Sequence, residues 1–177
     1  MHLNVEIKAR CKDAGFVRDF LKENMADFKG TDKQTDTYFK VDNGRLKLRQ
    51  GNIENALIHY TRSNQAGPKN SEVTMVTIEN GPQLKNVLLQ ACGLLAEVIK
   101  EREIYYIDNV KFHIDNVPGL GSFVEIEAID RDGLFGKEKL LEQCNFYLHA
   151  LHVKEEDLQT NSYSDMIMER EGSGLFS

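Results

Sequence analysis

Charged side chains in this sequence recur at every second position within short segments that otherwise carry apolar residues. In residues 45–50, for example, Lys47 and Arg49 alternate with leucines. Because successive side chains of a β-strand point to opposite faces, each such segment would place its charges together on one face. The basic residues collected in this way are Lys8, Arg10, Lys47, Arg49, Arg62, Lys100, Arg102 and Lys111. The acidic residues are Glu6, Asp115, Glu125 and Glu127.

These faces hold more basic than acidic residues, although the net charge of the chain is −6. Arginine offers a forked donor that matches phosphate oxygens, and lysine offers a point charge. Carboxylates beside them would repel the same phosphate unless they hold Mg²⁺ or Mn²⁺, which take oxygen ligands and bridge to phosphate. Gathered in one cavity, the faces would therefore bind a metal–triphosphate. The alternative is that they are simply solvent-exposed on the outside of a sheet.

The elements that must position these residues are eight predicted strands. They span residues 3–10, a hairpin over 37–50, 56–62, 72–78, 97–107, 110–115 and 123–129. Asp42-Asn43-Gly44 and Asp108-Asn109 are hairpin turn signals. Helices are predicted over residues 14–25, from Gly81-Pro82 onward and over 136–150, with a short helix around SYSDMIM in the polar tail.

This order predicts one α+β domain over residues 1–177. Consecutive hairpins favour an antiparallel sheet, and eight strands can close into a β-barrel. In such a tunnel the charged faces line the lumen, and the apolar faces point outward beneath helices packed outside the barrel.

Composition excludes several classes of protein. The chain is 41% hydrophobic and 28% charged, which is typical of globular proteins. Its negative net charge predicts no general attraction to nucleic acid or to an anionic membrane. The three cysteines show no zinc spacing. The first residues lack the plan of a signal peptide, and no run of ~18 apolar residues occurs. We therefore expect a cytoplasmic protein with free thiols.

The segment VEIKAR resembles the ExExK signature of the CYTH superfamily, also called triphosphate tunnel metalloenzymes. This superfamily includes class IV adenylate cyclases, thiamine triphosphatases and inorganic triphosphatases. Further blocks follow in the same order as in the family: TDTYFK, RLKLR, HYTR, KEREIYYIDNVKFHIDNVPGLGSFVEIEAI and NSYSDMI. The last block resembles a Ser-Tyr motif of cyclase-like members. The resemblance extends over most of the chain.

The resemblance implies a charged tunnel that binds a nucleoside triphosphate or another polyphosphate with Mg²⁺ or Mn²⁺. The resemblance implies that the triphosphate is bound by Lys8, Lys47, Arg49, Arg62, Lys100 and Arg102. It also implies a catalytic role for Lys8, Lys100 and Arg102. By the same resemblance, the metal is bound by Glu6, Glu125 and Glu127. Asp115 is either a further metal ligand or a residue that contacts the ligands. The resemblance also suggests a homodimer. Two positions depart from the family pattern, because Asn4 replaces the first glutamate of the signature and Arg62 stands where many members have lysine.

The first-choice reaction implied is cyclisation of ATP to cyclic AMP and pyrophosphate. Alternatives are an inorganic or thiamine triphosphatase, and a protein that binds nucleotides or polyphosphate without turnover. A lipocalin-like carrier of apolar ligands would also suit the length, but the charged faces argue against it. His113 falls on a charged face, where it would line the tunnel or serve a structural role.

Overall fold

Eight antiparallel strands close into a barrel, in the order β1-β5-β4-β3-β2-β6-β7-β8, in this computed structural model. The structure describes residues 2–62 and 67–174, without the side chains of Arg62, Ser173 and Gly174. The strands are β1 (His2–Arg10), β2 (Asp27–Phe39), β3 (Arg45–Gln50), β4 (Asn55–Arg62), β5 (Lys69–Thr77), β6 (Leu94–Ile107), β7 (Val110–Val117) and β8 (Gly121–Asp130). The helices are α1 (Ala14–Glu23), α2 (Gly81–Cys92), α3 (Gly136–Ala150) and α4 (Tyr163–Gly174), with a 3₁₀ turn at Glu155–Asp157. The predicted fold and element order are confirmed.

Local sequence explains where these elements begin and turn. Gly44 has a φ of 67° in the hairpin between β2 and β3. A Cβ there would lie 2.8 Å from the Tyr60 carbonyl oxygen, so glycine suits both the conformation and the space. Asp13 caps α1 by accepting a hydrogen bond from the Phe16 amide at 2.9 Å. Asn80 caps α2 in the same way, and Pro82 occupies its first turn.

The main hydrophobic core lies outside the barrel, between its wall and two helices. Val5, Ile7, Phe112 and Ile126 point outward from β1, β7 and β8, where α1 and α3 cover them. The outward direction of the apolar faces agrees with the prediction. Helix α2 covers less, because Gly81 is its only buried residue and Val87 is 61% exposed.

Strand β2 begins ten residues earlier than the predicted hairpin over 37–50. Its first part, DFKGTDKQTD, has almost no apolar residues and gives no hydrophobic alternation. The structure explains this composition, since Asp32, Gln34 and Asp36 are buried polar residues rather than parts of an apolar core.

The C-terminal segment closes one end of the barrel. Leu158 forms a β-bridge with Ala9, and Lys69 Nζ donates to the carbonyl oxygens of Gln159 and Thr160. Helix α4 then begins with Tyr163, which is 4% exposed and lies inside the barrel. The short tail helix predicted around SYSDMIM is thus real, but it covers the barrel end instead of the outer wall. Among the described residues, none of the helices has the length and apolar character required to cross a membrane.

Candidate active site

A cavity of about 360 Å³ occupies the barrel interior and collects nine of the twelve predicted site residues. These nine are Lys8, Lys47, Arg49, Lys100, Arg102, Lys111, Glu6, Glu125 and Glu127. Four strands, β1, β3, β6 and β7, supply the basic side chains, and β1 and β8 supply the glutamates. The charged faces therefore line a lumen, and the alternative of a solvent-exposed outer face is wrong for these nine residues.

The other three predicted site residues are Arg10 and Asp115, which do not line the cavity, and Arg62, whose side chain is not described. Arg10 is exposed at the closed end of the barrel, where it stacks on Phe123 at 4.6 Å and donates to the Leu120 carbonyl oxygen. Strand β1 extends past the cavity here, and the Phe123 ring contacts Tyr163 on its inner side. Asp115 is fully buried in the wall. The side chain of Arg62 lies outside the described residues.

Asp36 holds three of the basic residues together. Its carboxylate accepts hydrogen bonds from Lys47 at 3.1 Å, from Arg49 at 2.9 Å and from Lys100 at 2.7 Å. Burial by itself would raise the pKa of Asp36, but the three nearby positive charges outweigh burial and hold it well below its usual range. Asp36 is thus an ionised counter-charge that orders the cations of one wall.

Lys100 is a buried lysine whose pKa is strongly lowered in the folded chain. Its side chain is 1% exposed. Burial lowers the pKa of Lys100 to about 7; Asp36 opposes the shift, and the positive charges of Arg102, Arg49 and Lys47 add to it. A neutral amine is therefore accessible near neutral pH, which suits a proton acceptor.

Arg102 and Glu125 are the centre of a second network. Arg102 donates to both carboxylate oxygens of Asp115, at 2.7 and 2.5 Å, and to Glu125 at 2.8 Å. Tyr163 OH also donates to Asp115, at 2.7 Å. Lys8 Nζ lies 3.2 Å from Glu125 Oε1 and 3.8 Å from the centre of the Tyr163 ring. Asp115 is thus occupied by an arginine and a tyrosine and positions Arg102 instead of facing the cavity.

His113 completes the second network as a neutral side chain. Its Nδ1 lies 3.1 Å from Glu125 Oε2. Burial, followed by the charge of Arg102, lowers the pKa of His113 to about 3. Its buried Nε2 has no hydrogen-bond partner among the described residues, and neither has the Oδ1 atom of Asn4. Both residues line the cavity, so each presents an unsatisfied polar atom that a ligand could satisfy.

Glu6 and Glu127 are the carboxylates that best fit a divalent cation. They face each other directly across β1 and β8, although like charges in that position destabilise a sheet. Burial raises the pKa of Glu127; the charge of Lys111 opposes this shift, and the charges of Glu6 and Glu125 add to it. Asn4 Nδ2 donates to Glu127. Within residues 2–62 and 67–174 no three acidic, His or Cys side chains are assembled as a ready metal cluster. Candidate donors to a cation on this wall are therefore the carboxylates of Glu6 and Glu127 and the Asn4 amide oxygen.

On one wall of the cavity the side chains that the structure describes carry no charge. This wall is formed by the neighbouring strands β4 and β5, and its described lining side chains are Ala56, Ile58, Tyr60, Ser71, Val73, Met75 and Thr77. The cavity thus has a cationic side and a largely apolar side, which suits a ligand with a polyphosphate and a less polar group.

Sequence reasoning missed Asp36 and Glu54, both of which line the cavity. Asp36 lies in the part of β2 that gives no hydrophobic alternation, and Glu54 lies in the turn between β3 and β4. A signal for Asp36 was available, because TDTYFK places it two residues from Tyr38 and so on the same face. No strand pattern could have indicated Glu54.

Comparison with known proteins agrees with this geometry. The chain is 27% identical to "Putative adenylate cyclase MJ0240" of Methanocaldococcus jannaschii, over 93% of this chain and 98% of that protein. The PH1012 protein of Pyrococcus horikoshii has the same fold, with a TM-score of 0.78 at 20% identity, covering 93% of this chain and 98% of the other.

A plant structure from Hippeastrum, described as a "putative adenylyl cyclase" that reveals a dominant triphosphatase activity, matches with a TM-score of 0.63 at 16% identity. The match covers 97% of this chain and 96% of that one. The model of the CYTH domain matches residues 2–163. The chain therefore belongs to the CYTH domain family.

Proposed function

We propose that this chain binds a nucleoside triphosphate with a divalent cation inside the barrel and converts ATP to cyclic AMP and pyrophosphate. The observation that carries the proposal is the convergence of six basic side chains from four strands on one cavity that also holds two opposed glutamates. A cavity with this charge pattern fits a polyphosphate far better than an apolar or neutral ligand.

The phosphates are assigned to Lys8, Lys47, Arg49, Arg102 and Lys111. Arg102 is held rigidly by Asp115, so its guanidinium is oriented before the ligand binds and can stabilise the negative charge that develops on the leaving pyrophosphate. Glu6 and Glu127 would hold Mg²⁺ or Mn²⁺, with Asn4 beside them. When bound, the cation supplies a Lewis acid that polarises phosphoryl oxygens.

In the proposed reaction the 3′-hydroxyl oxygen forms a bond to the α-phosphorus, and the bond from that phosphorus to the pyrophosphate oxygen breaks. The hydroxyl proton leaves the nucleophile, and Lys100 is assigned as its acceptor because burial lowers the pKa of its amine to about 7. Lys100 and Arg102 thus have separate roles, one in proton transfer and one in charge stabilisation.

The described lining side chains of β4 and β5, which are uncharged, favour an organic triphosphate over inorganic tripolyphosphate. A nucleoside placed against Ile58, Val73 and Met75 would bury apolar surface there while its phosphates reach the cationic wall. Inorganic tripolyphosphate would leave that wall without a partner.

The second candidate function is a triphosphatase, in which water attacks the terminal phosphorus. It is favoured by the Hippeastrum structure, which is described with a dominant triphosphatase activity. The same cationic wall and metal would serve both reactions, so the position of the reacting phosphorus relative to Lys100 decides between them.

Product analysis distinguishes the candidates. The protein is incubated with ATP, thiamine triphosphate or tripolyphosphate, each with Mn²⁺ or Mg²⁺. Cyclic AMP with pyrophosphate supports the cyclase, whereas orthophosphate supports the triphosphatase. Lys33→Met, a change on an exposed outer lysine, is the matched control for Lys100→Met. Tight binding of ATP without any product would overturn both enzymatic assignments in favour of a binding protein.

A further inference from the structure

Glu54 is a carboxylate inside the cavity for which the proposed reaction has no role. Its Oε2 accepts hydrogen bonds from Arg49 Nη1 at 2.9 Å and from Gln34 Nε2 at 3.2 Å, and its Oε1 accepts one from Lys111. Arg49 and Lys111 are two of the cations assigned to the triphosphate. Glu54 therefore occupies donors that a phosphate would otherwise use.

The backbone of the Glu54 turn is fixed by Asp32. The buried Asp32 carboxylate accepts hydrogen bonds from the amides of Ile53 and Glu54, both at 2.9 Å. A Cβ at Gly51 would lie only 2.4 Å from Asp32 Oδ1, so the turn packs closely against this carboxylate. The turn thus has a defined place, and the Glu54 side chain is directed from it into the cavity.

Glu54 links two separated parts of the barrel. Arg49 lies on β3 and Lys111 on β7, and β2 and β6 lie between these strands in the barrel order. The contact therefore spans the cavity instead of following one wall. Lys8 is paired with Glu125, and Lys47 and Lys100 are paired with Asp36.

Asp36 and Glu54 differ in how easily they can release their cations. The Asp36 side chain is 1% exposed and is held by three cations at once, whereas that of Glu54 is 24% exposed and lies in a turn. A glutamate with partial access to solvent can rotate away and be hydrated, so its displacement costs less than that of a fully buried carboxylate.

We infer that Glu54 is a specificity-determining residue that competes with ligand phosphate for Arg49 and Lys111. A chain of phosphates long enough to reach these two cations must displace the Glu54 carboxylate. A single phosphate that is held by Lys8 and Lys47 does not have to displace it. Glu54 thereby lowers the affinity of the cavity for longer polyphosphates without changing its affinity for orthophosphate. It also determines how much negative charge a ligand must carry in order to bind. This inference rests on the proposed function, since it takes the cavity as a polyphosphate site.

Calorimetric titration tests the inference. The wild type, Glu54→Gln and Glu54→Ala are each titrated with tripolyphosphate and with orthophosphate, both without metal. Removing a competing charge from two charge-assisted contacts should tighten tripolyphosphate binding about tenfold in both variants and leave orthophosphate binding within about twofold. Glu101→Gln, on an exposed outer glutamate, is the matched control and should behave as the wild type.

The possible results separate the inference from the proposed function. Unchanged or weaker tripolyphosphate binding in folded Glu54→Gln and Glu54→Ala would overturn the inference alone, because the cavity would still bind polyphosphate. An equal gain for orthophosphate would also overturn it, by indicating a general charge effect. Failure of every protein, the wild type included, to bind tripolyphosphate at millimolar concentration, with Mn²⁺ as well as without it, would overturn the proposed function and the inference with it. Circular dichroism and thermal melting establish that each variant is folded.

Discussion

Lys100 Nζ lies 2.7 Å from Asp36 Oδ2, and both residues are almost completely buried in the wall of the cavity. The same carboxylate contacts Lys47 and Arg49. One negative charge therefore orders three positive charges that would otherwise repel one another at close range. Because burial of unpaired charges is costly, this arrangement makes the stability of the fold depend on the residue that organises the site.

Asp36→Asn should destabilise the protein by about 3 kcal/mol at neutral pH, because it leaves the buried Arg49 and Lys100 and the partly buried Lys47 without their shared counter-charge. Urea denaturation followed by circular dichroism measures the change. Asp27→Asn, on an exposed residue of the same strand, is the control and should change stability by no more than about 0.5 kcal/mol. Equal stability of the two variants would mean that Asp36 does not carry this charge balance.

Stability should depend on pH through Lys100. The pKa of Lys100 is about 7 in the folded chain against an ordinary value of 10.5. Between these pH values the unfolded chain binds more protons than the folded one, so the free energy of unfolding rises with pH. Relative to Lys100→Met, the wild type should gain on the order of 2 kcal/mol between pH 7 and pH 9. Denaturation at several pH values checks this, and parallel curves would show that Lys100 stays charged.

Lys47 and Arg10 were both predicted from the sequence to bind phosphate, but only Lys47 lines the cavity. Lys47→Met should weaken tripolyphosphate binding by about 1.5–3 kcal/mol, the typical contribution of a hydrogen bond to a charged group. Arg10→Ala should leave the affinity unchanged, since Phe123 and Tyr163 lie between Arg10 and the cavity. Calorimetric titration of the two variants with tripolyphosphate measures both affinities. Comparable losses of affinity would place the ligand at the barrel end closed by α4.

The sequence predicted the fold well because alternation of charged and apolar residues is strong in β1, β3, β7 and β8. It could not predict which charges neutralise one another. The opposition of Glu6 and Glu127 depends on the register between β1 and β8, which is set when the barrel closes. Asp36 was missed because its part of β2 has almost no apolar residues and so gives no alternation, and Glu54 was missed because it lies in a turn. The position of Arg10 was missed because strand period does not tell where a cavity ends.

Glu127→Gln should stabilise the protein by about 1 kcal/mol when no divalent metal is present, because it removes one charge from an opposed pair. The same change should abolish any rise of the melting temperature on addition of Mn²⁺, since one of the two fitting carboxylates is lost. Thermal melting with chelator and with Mn²⁺ measures both effects. Glu101→Gln serves as the matched surface control. A variant that still gains stability from Mn²⁺ to the same extent as the wild type would place the cation elsewhere.

Asn4 is the position where this chain departs from the family signature, and it is 2% exposed on the cavity wall beside the two opposed glutamates. Asn4→Glu would add a third carboxylate on the same face of β1 as Glu6. Without metal, the added repulsion of about 1 kcal/mol should lower the melting temperature by about 2–4 °C.

With Mn²⁺, Asn4→Glu should raise the melting temperature relative to the wild type instead of lowering it. Three carboxylates attract a divalent cation more strongly than two carboxylates and an amide, so Asn4→Glu should reach its maximal melting temperature and its maximal turnover at lower Mn²⁺ than the wild type. Asn4→Gln keeps the position neutral and should follow the wild type. Melting and turnover are measured across a Mn²⁺ titration for all three proteins. If Asn4→Glu and Asn4→Gln respond to Mn²⁺ identically, the missing carboxylate does not limit metal binding, and Glu6 and Glu127 together are sufficient for the cation.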